Sequence, residues 1–161
     1  MKYLTTLLFF LVVAAAAHAQ KSSSVLKPLL DSYYDIKNAL VNSDAATTSA
    51  KAAGFAKAIN DINIKTLTDS ERGAFISLQN KLSLDAGNIA ATKDIAKQRD
   101  YFEDFSLDFY SLAKAVKLTD QPVYLQYCPM KKASWLSESK AIKNPYYGSA
   151  MLTCGNVKEI F

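Results

Sequence analysis

Four sulfur side chains hold the chemical potential of this sequence. Cys128 and Met130 stand in the run Tyr-Cys-Pro-Met (127–130), and Met151 and Cys154 in Met-Leu-Thr-Cys (151–154). The only other sulfur belongs to Met1. Methionine usually fills gaps in hydrophobic cores, yet the stripes of this chain use Leu, Ile and Phe instead. Thiolate and thioether sulfur select Cu(I), and by the same softness Ag(I), over hard cations. Cys-x-Met can aim two sulfurs at one centre if Pro129 fixes the turn, and Met-x-x-Cys can do so on a helical turn or tight loop. Zinc fits less well, because its structural sites use Cys and His. A second reading needs only the cysteines. In an oxidising compartment, Cys128 and Cys154 would form a structural disulfide. The loop closed is about 27 residues, worth about 3.5 kcal/mol in the chain-entropy picture. Spacing leaves both readings open, and a disulfide would consume both thiolates.

The compartment is read from the start of the chain. Lys2 precedes the apolar run Leu4 to Ala17, and Ala17-His18-Ala19 is an A-x-A cleavage signal. Residues 1–19 therefore read as a secretory signal peptide. The run is shorter than the roughly 20 residues that span a bilayer. No cysteine opens the mature chain, so neither membrane insertion nor a lipid anchor is expected. The expected location is the periplasm, with secretion as the variant.

Removing that leader removes His18, the one histidine of the sequence. The loss excludes much chemistry. Di-iron bundles need Glu-x-x-His pairs, covalent haem needs Cys-x-x-Cys-His, and Ser-His-Asp catalysis needs its base. No Gly-rich phosphate loop is present. Glu103, Asp104 and Asp108 read as a solvated helix face. An enzyme is not expected. The net charge of +4 is scattered, with no basic stripe to track phosphates, so nucleic acid is not expected either.

Four amphipathic stripes would position the sulfur residues. They are Leu26, Leu29, Tyr33, Ile36 and Leu40; Ala52, Phe55, Ile59 and Ile62; Phe75, Leu78, Leu82 and Ile89; and Ile95, Gln98, Phe102, Phe105, Phe109, Leu112 and Val116. Gln98 is the one polar member of the last. Ser23 or Ser24 would cap the first helix, with Pro28 in its first turn. Ser43 or Asp44 would cap the second, and Thr68 to Glu71 is a capping box for the third. Short links at Asn42-Ser43, Asn63–Leu67 and Ala90–Lys93 make antiparallel neighbours. The expectation is an all-α, up-down four-helix bundle over residues 20–119. Residues 120–161 read as a small loop and β-strand appendage packed on it in the same domain. Gln121–Tyr127 and Asn156–Phe161 are its strands, and Asn144-Pro145 and Gly148 mark turns. Tyr124, Tyr127, Trp135, Tyr146 and Tyr147 would shield an ion or pack the appendage. Lys131 and Lys132 read as a solvated rim.

Tyr-Cys-Pro-Met, Trp-Leu-Ser (135–137), Asn-Pro-Tyr-Tyr-Gly (144–148) and Met-Leu-Thr-Cys-Gly (151–155) together resemble the C-terminal signature of the domain-of-unknown-function 3347 family. That family comprises exported bacterial helical domains, found alone or alongside periplasmic adaptor subunits of copper/silver efflux pumps. Tyr-Cys-Pro-Met is also similar to the short heavy-metal-binding motif of such adaptors, in which a histidine usually follows the methionine; Lys131 stands there in this chain. The resemblance implies metal handling. A Cu(I) or Ag(I) ion would be held by Cys128 and Cys154 as thiolates and by Met130 and Met151 as thioethers, then buffered or passed to a heavy-metal efflux system. The alternative is a non-catalytic interaction module, stapled by a Cys128–Cys154 disulfide, that displays Trp135, Tyr146 and Tyr147 to a protein partner.

Overall fold

The computed structural model describes residues 25–161. Four helices come first: α1 Lys27–Val41, α2 Ala45–Asn60, α3 Asp69–Ala90 and α4 Ile95–Ala115. A three-stranded antiparallel sheet follows, from β1 Tyr124–Cys128, β2 Ala133–Ser137 and β3 Asn156–Ile160, in the order β2-β1-β3. The fold is thus a helical bundle with a small C-terminal sheet. The expected leader, and Ser23 and Ser24 with it, lie outside the described residues. Among the described residues no helix is long and apolar enough to cross a membrane.

Each helix starts where a side chain can take up free backbone amides. Asp44 accepts from the Thr47 amide at 2.9 Å and opens α2. Thr68 and Glu71 form the reciprocal capping box of α3, at 3.3 and 3.0 Å. Asp94 accepts from the Ala96 and Lys97 amides and opens α4. The exception is α1, whose N-cap Leu26 offers no side-chain acceptor; Pro28 in the first turn lacks a donor to satisfy.

The stripes form one core. Tyr33, Phe55, Phe102, Phe105 and Phe109 are fully buried. Tyr33 stacks on Phe109 at 4.7 Å between centroids, and Phe55 meets Phe105 edge-on at 4.8 Å. Ile62, Leu78 and Ile95 lie at the margin, half-buried. Gln98 is buried too, and its place in the stripe has a cause. Its amide donates to Ala45 O at 2.9 Å and Thr92 O at 2.7 Å, so it ties the start of α2 to the α3–α4 link.

The sheet docks through β2. That strand was absent from the expected elements, because Ala-Ser-Trp-Leu-Ser shows no alternation. The structure explains why: Trp135 and Leu136 point to opposite faces, and both are fully buried. β2 is also an edge strand, so its outer amides and carbonyls need partners. Bundle side chains supply them. The Leu136 amide donates to the Tyr33 hydroxyl at 3.0 Å. The Tyr33 hydroxyl lies 2.6 Å from Ser106 Oγ, which donates to Ser134 O at 3.0 Å. The Tyr146 hydroxyl donates to the same carbonyl at 2.7 Å. A further tie comes from Lys37, almost fully buried on α1, which reaches Glu138 just beyond β2 at 2.7 Å.

Tyr33→Phe keeps the stacked ring and deletes the hydroxyl. It strands the Leu136 amide in the core, so the expected loss is about 1–3 kcal/mol of stability, read by urea unfolding. A loss under about 0.5 kcal/mol would mean that the sheet edge does not depend on this bond.

Candidate metal centre

β1 is the central strand, and Cys128 is its last residue. It faces Ala133 across the β1–β2 hairpin. Residues 129–132 form the turn, closed by the Lys132 amide on Cys128 O at 2.8 Å, with Lys132 at φ 60°. On the other side of β1, Tyr127 pairs with Asn156, which brings the chain just before β3 alongside Cys128. That chain carries Cys154. The two sulfurs lie 3.5 Å apart, and both are free thiols. The expected pairing of Cys128 with Cys154 is thus met as a contact, but no disulfide bond joins them.

Two residues hold the backbone around Cys154 in place. Asn144, fully buried, donates through its side chain to Cys154 O at 2.8 Å and accepts from the Tyr146 amide at 2.8 Å. Its own amide donates to Leu152 O at 2.8 Å. Gly155, at φ 148°, lies flat against Trp135; a Cβ there would stand 2.9 Å from Trp135 Cη2 and 2.9 Å from Tyr127 O. In the sequence Asn144 marks a turn, and Gly155 stands only as the end of the Met-Leu-Thr-Cys-Gly motif. An Asn-Pro turn residue near a cysteine carries no sign that its amide reaches ten residues onward.

The two thiols differ. Cys128 is fully buried, whereas Cys154 is half-buried beside the exposed run 149–153. Burial works against ionising Cys128, but the Lys131 amide, the Cys154 thiol, the Asn144 side chain and the Met130 amide outweigh it and hold its pKa below the ordinary thiol value. Cys154 moves the opposite way, raised first by its hydrogen bond to Cys128, with burial and the Cys128 charge adding to it. The pair therefore favours a Cys128 thiolate accepting from a Cys154 thiol. The Met130 amide faces both sulfurs. Met130 and Met151 themselves stand out of the core, 64% and 36% exposed. Among the described residues no group of three or more His, Cys, Asp or Glu could hold a metal ion. Any ion bound here would need the methionines or a partner's ligands to complete its shell.

Several neighbours differ from their expected roles. Lys131 is not a solvated rim. Its ammonium reaches Asp100 at 2.9 Å and Glu103 at 3.3 Å and clamps the turn to α4. Trp135 and Tyr146 are 0% and 4% exposed, so they cannot be displayed to a partner. They meet edge-on at 6.0 Å and pack the appendage on the bundle. Tyr147 remains half-buried. The acidic face is not fully solvated either. Burial, then the charges of Asp108 and Asp104, push Asp85 up to about 6.

With this geometry in hand, relatives can be placed. Residues 29–121 match the family model described as "Protein of unknown function (DUF3347)". The chain belongs to that family. The match runs from α1 through the link after α4 and stops before β1, so membership rests on the helices. The Cys and Met motifs lie beyond the matched residues. No curated protein and no solved structure matches the chain.

Asp85 gives a pH test. Its folded pKa lies above the ordinary 3.8, at about 6, so the protonated carboxyl is the better fit to the fold. The stability this contributes is whole below pH 3.8 and is lost as the pH rises through about 6. Asp85→Asn should therefore raise the unfolding midpoint at pH 7.5, and the gain should vanish at pH 3.5. A variant that is no more stable than the parent at pH 7.5 would contradict the cost of holding this carboxylate partly buried beside Asp108 and Asp104.

Proposed function

We propose that this protein is a non-catalytic carrier of a soft monovalent ion, Cu(I) or Ag(I), which it buffers or delivers to an efflux system. The observation that carries the reading is the contact of two free thiols at 3.5 Å, flanked within three residues on each arm by an exposed methionine. Cys128, fixed in the sheet, is the anchoring thiolate. Cys154, on the more exposed arm, is the sulfur free to shift and admit an ion. Met130 and Met151 are thioether ligands that soften the shell and offer an exit by ligand exchange, one sulfur at a time. Lys131 lends no ligand, because Asp100 and Glu103 hold its ammonium.

The export signal read in residues 1–19 supports a periplasmic location, with secretion as the variant. The resemblance to chains that accompany efflux adaptors supports such an adaptor as the receiving partner. Short helix links support an up-down order for the bundle. Neither nucleic acid nor membrane insertion belongs to this reading.

The deciding experiment is an anaerobic competition titration of reduced protein with Cu(I) and a chromophoric chelator. The expected result is tight one-to-one binding that is abolished by Cys128→Ser with Cys154→Ser. Met130→Leu with Met151→Leu should weaken binding about tenfold, or about 1.4 kcal/mol, and leave the unfolding curve in place. An unchanged chelator spectrum would end the metal reading, and an unchanged affinity in the methionine variant would end their role as ligands.

A further inference from the structure

We propose that Cys128 and Cys154 also form a redox pair that exchanges with external disulfides, in which Cys154 meets the partner and Cys128 closes the internal bond. The inference concerns the same sulfurs as the proposed metal site and adds an activity to them. Three observations carry it. First, the thiols already touch at 3.5 Å, and a disulfide needs about 2.05 Å, so a small side-chain movement completes the bond. Second, the pairing of Tyr127 with Asn156 holds the two backbones together next to the reacting atoms. Third, access is one-sided. Cys128 is fully buried, while Cys154 is half-buried next to exposed Leu152 and Thr153. An incoming disulfide can reach only Cys154.

The steps balance as follows. The Cys154 thiol passes its proton to the Cys128 thiolate 3.5 Å away, and the Cys154 sulfur attacks one sulfur of the external disulfide. A mixed disulfide forms on Cys154, and the first external thiolate leaves and takes that proton from Cys128, which becomes a thiolate again. The Cys128 thiolate then attacks Cys154 Sγ, the internal bond forms, and the second external thiolate leaves. The protein loses two electrons, and the external disulfide gains them as it becomes two thiols. The Lys131 amide, 3.5 Å from Cys128 Sγ, favours the thiolate that performs the second attack. The reverse sequence, begun by an external thiol on Cys154, restores the dithiol. On the metal reading, the oxidised form has no thiolate ligand left, so the exchange would also set when the site can hold an ion.

The test uses reduced, metal-free protein and oxidised glutathione, with free thiols counted and adducts followed by intact mass. The parent should lose both thiols and retain no adduct. Cys128→Ala should accumulate one glutathione on Cys154, because nothing can resolve it. Cys154→Ala should stay unmodified over the same period and become modified once denaturant exposes Cys128. The proposal is overturned if Cys154→Ala takes up glutathione as fast as Cys128→Ala does in the native state, if the parent keeps both thiols, or if Cys154→Ala resists even when unfolded. Should Cys128→Ala unfold, the Cys154→Ala comparison with and without denaturant decides alone. Because no metal is present, this exchange can fail while Cu(I) binding holds, and the reverse.

Discussion

A strand covered on both faces still has an edge to satisfy, and the Tyr33 hydroxyl satisfies it. Leu136 N donates to that oxygen, and the same oxygen lies within bonding distance of Ser106, which passes a hydrogen bond on to Ser134 O. One phenol thus joins α1, α4 and β2. Each buried backbone group left without a partner would cost about 1–3 kcal/mol, comparable to a good part of a domain's net stability. The opposite edge is tied less deeply. β3 alternates exposed and half-buried positions, and its Glu159 accepts from the Tyr110 hydroxyl at 2.8 Å and pairs with Lys114, both on α4. The sheet thus meets the bundle through half-exposed β3 and, in the core, through the buried edge of β2.

From that edge the sulfur geometry follows. With β2 held, β1 is the middle strand, and its end is Cys128. The turn after it is clamped to α4 by Lys131. The returning chain is held by Asn144 and by the flat contact of Gly155 on Trp135. Cys128 therefore belongs to the rigid sheet and Cys154 to an arm that touches solvent. The difference in burial arises from this division, whereas the opposite displacement of the two thiol pKa values comes from the hydrogen bonds around Cys128, which outweigh its burial, and from the bond between the two sulfurs. A symmetrical pair of surface cysteines would offer neither an anchored thiolate nor a preferred point of entry.

The helices were legible because each needed only local information. A stripe at three- and four-residue steps, a Thr-to-Glu capping box and a first-turn proline are all visible within a few residues. Even Gln98, the odd member of its stripe, sat where the pattern placed it; only its partners were hidden. β2 was not legible, since a strand buried on both faces loses the period of two that reveals strands. Its register made Trp135 a core residue rather than a displayed one. The contact between the cysteines lay between these cases. Their types and shared segment suggested a meeting, but the 3.5 Å separation depends on the pairing of Tyr127 with Asn156, which no local pattern states. Family membership also divides along the chain. It rests on residues 29–121, whereas the chemistry lies beyond them.

The position after Met130 shows how a single side chain sets the character of the site. An imidazole there could supply a nitrogen ligand and a group that titrates near neutral pH. The lysine in its place supplies neither. Its ammonium is drawn to Asp100 and Glu103, which raise its pKa and keep it charged. Its amide, by contrast, turns to Cys128 Sγ. One residue thereby spends its side chain on holding the turn and its backbone on stabilising the thiolate. The side chain at that position thus adds no ligand beside the two thiols. On the proposed reading such a set favours a soft ion, and without any ion it leaves two thiols in contact, whose chemistry is exchange with other sulfur. Both proposals rest on the same constraint: a sheet edge pinned by Tyr33 buries Cys128 in the sheet and leaves Cys154 where it can be reached.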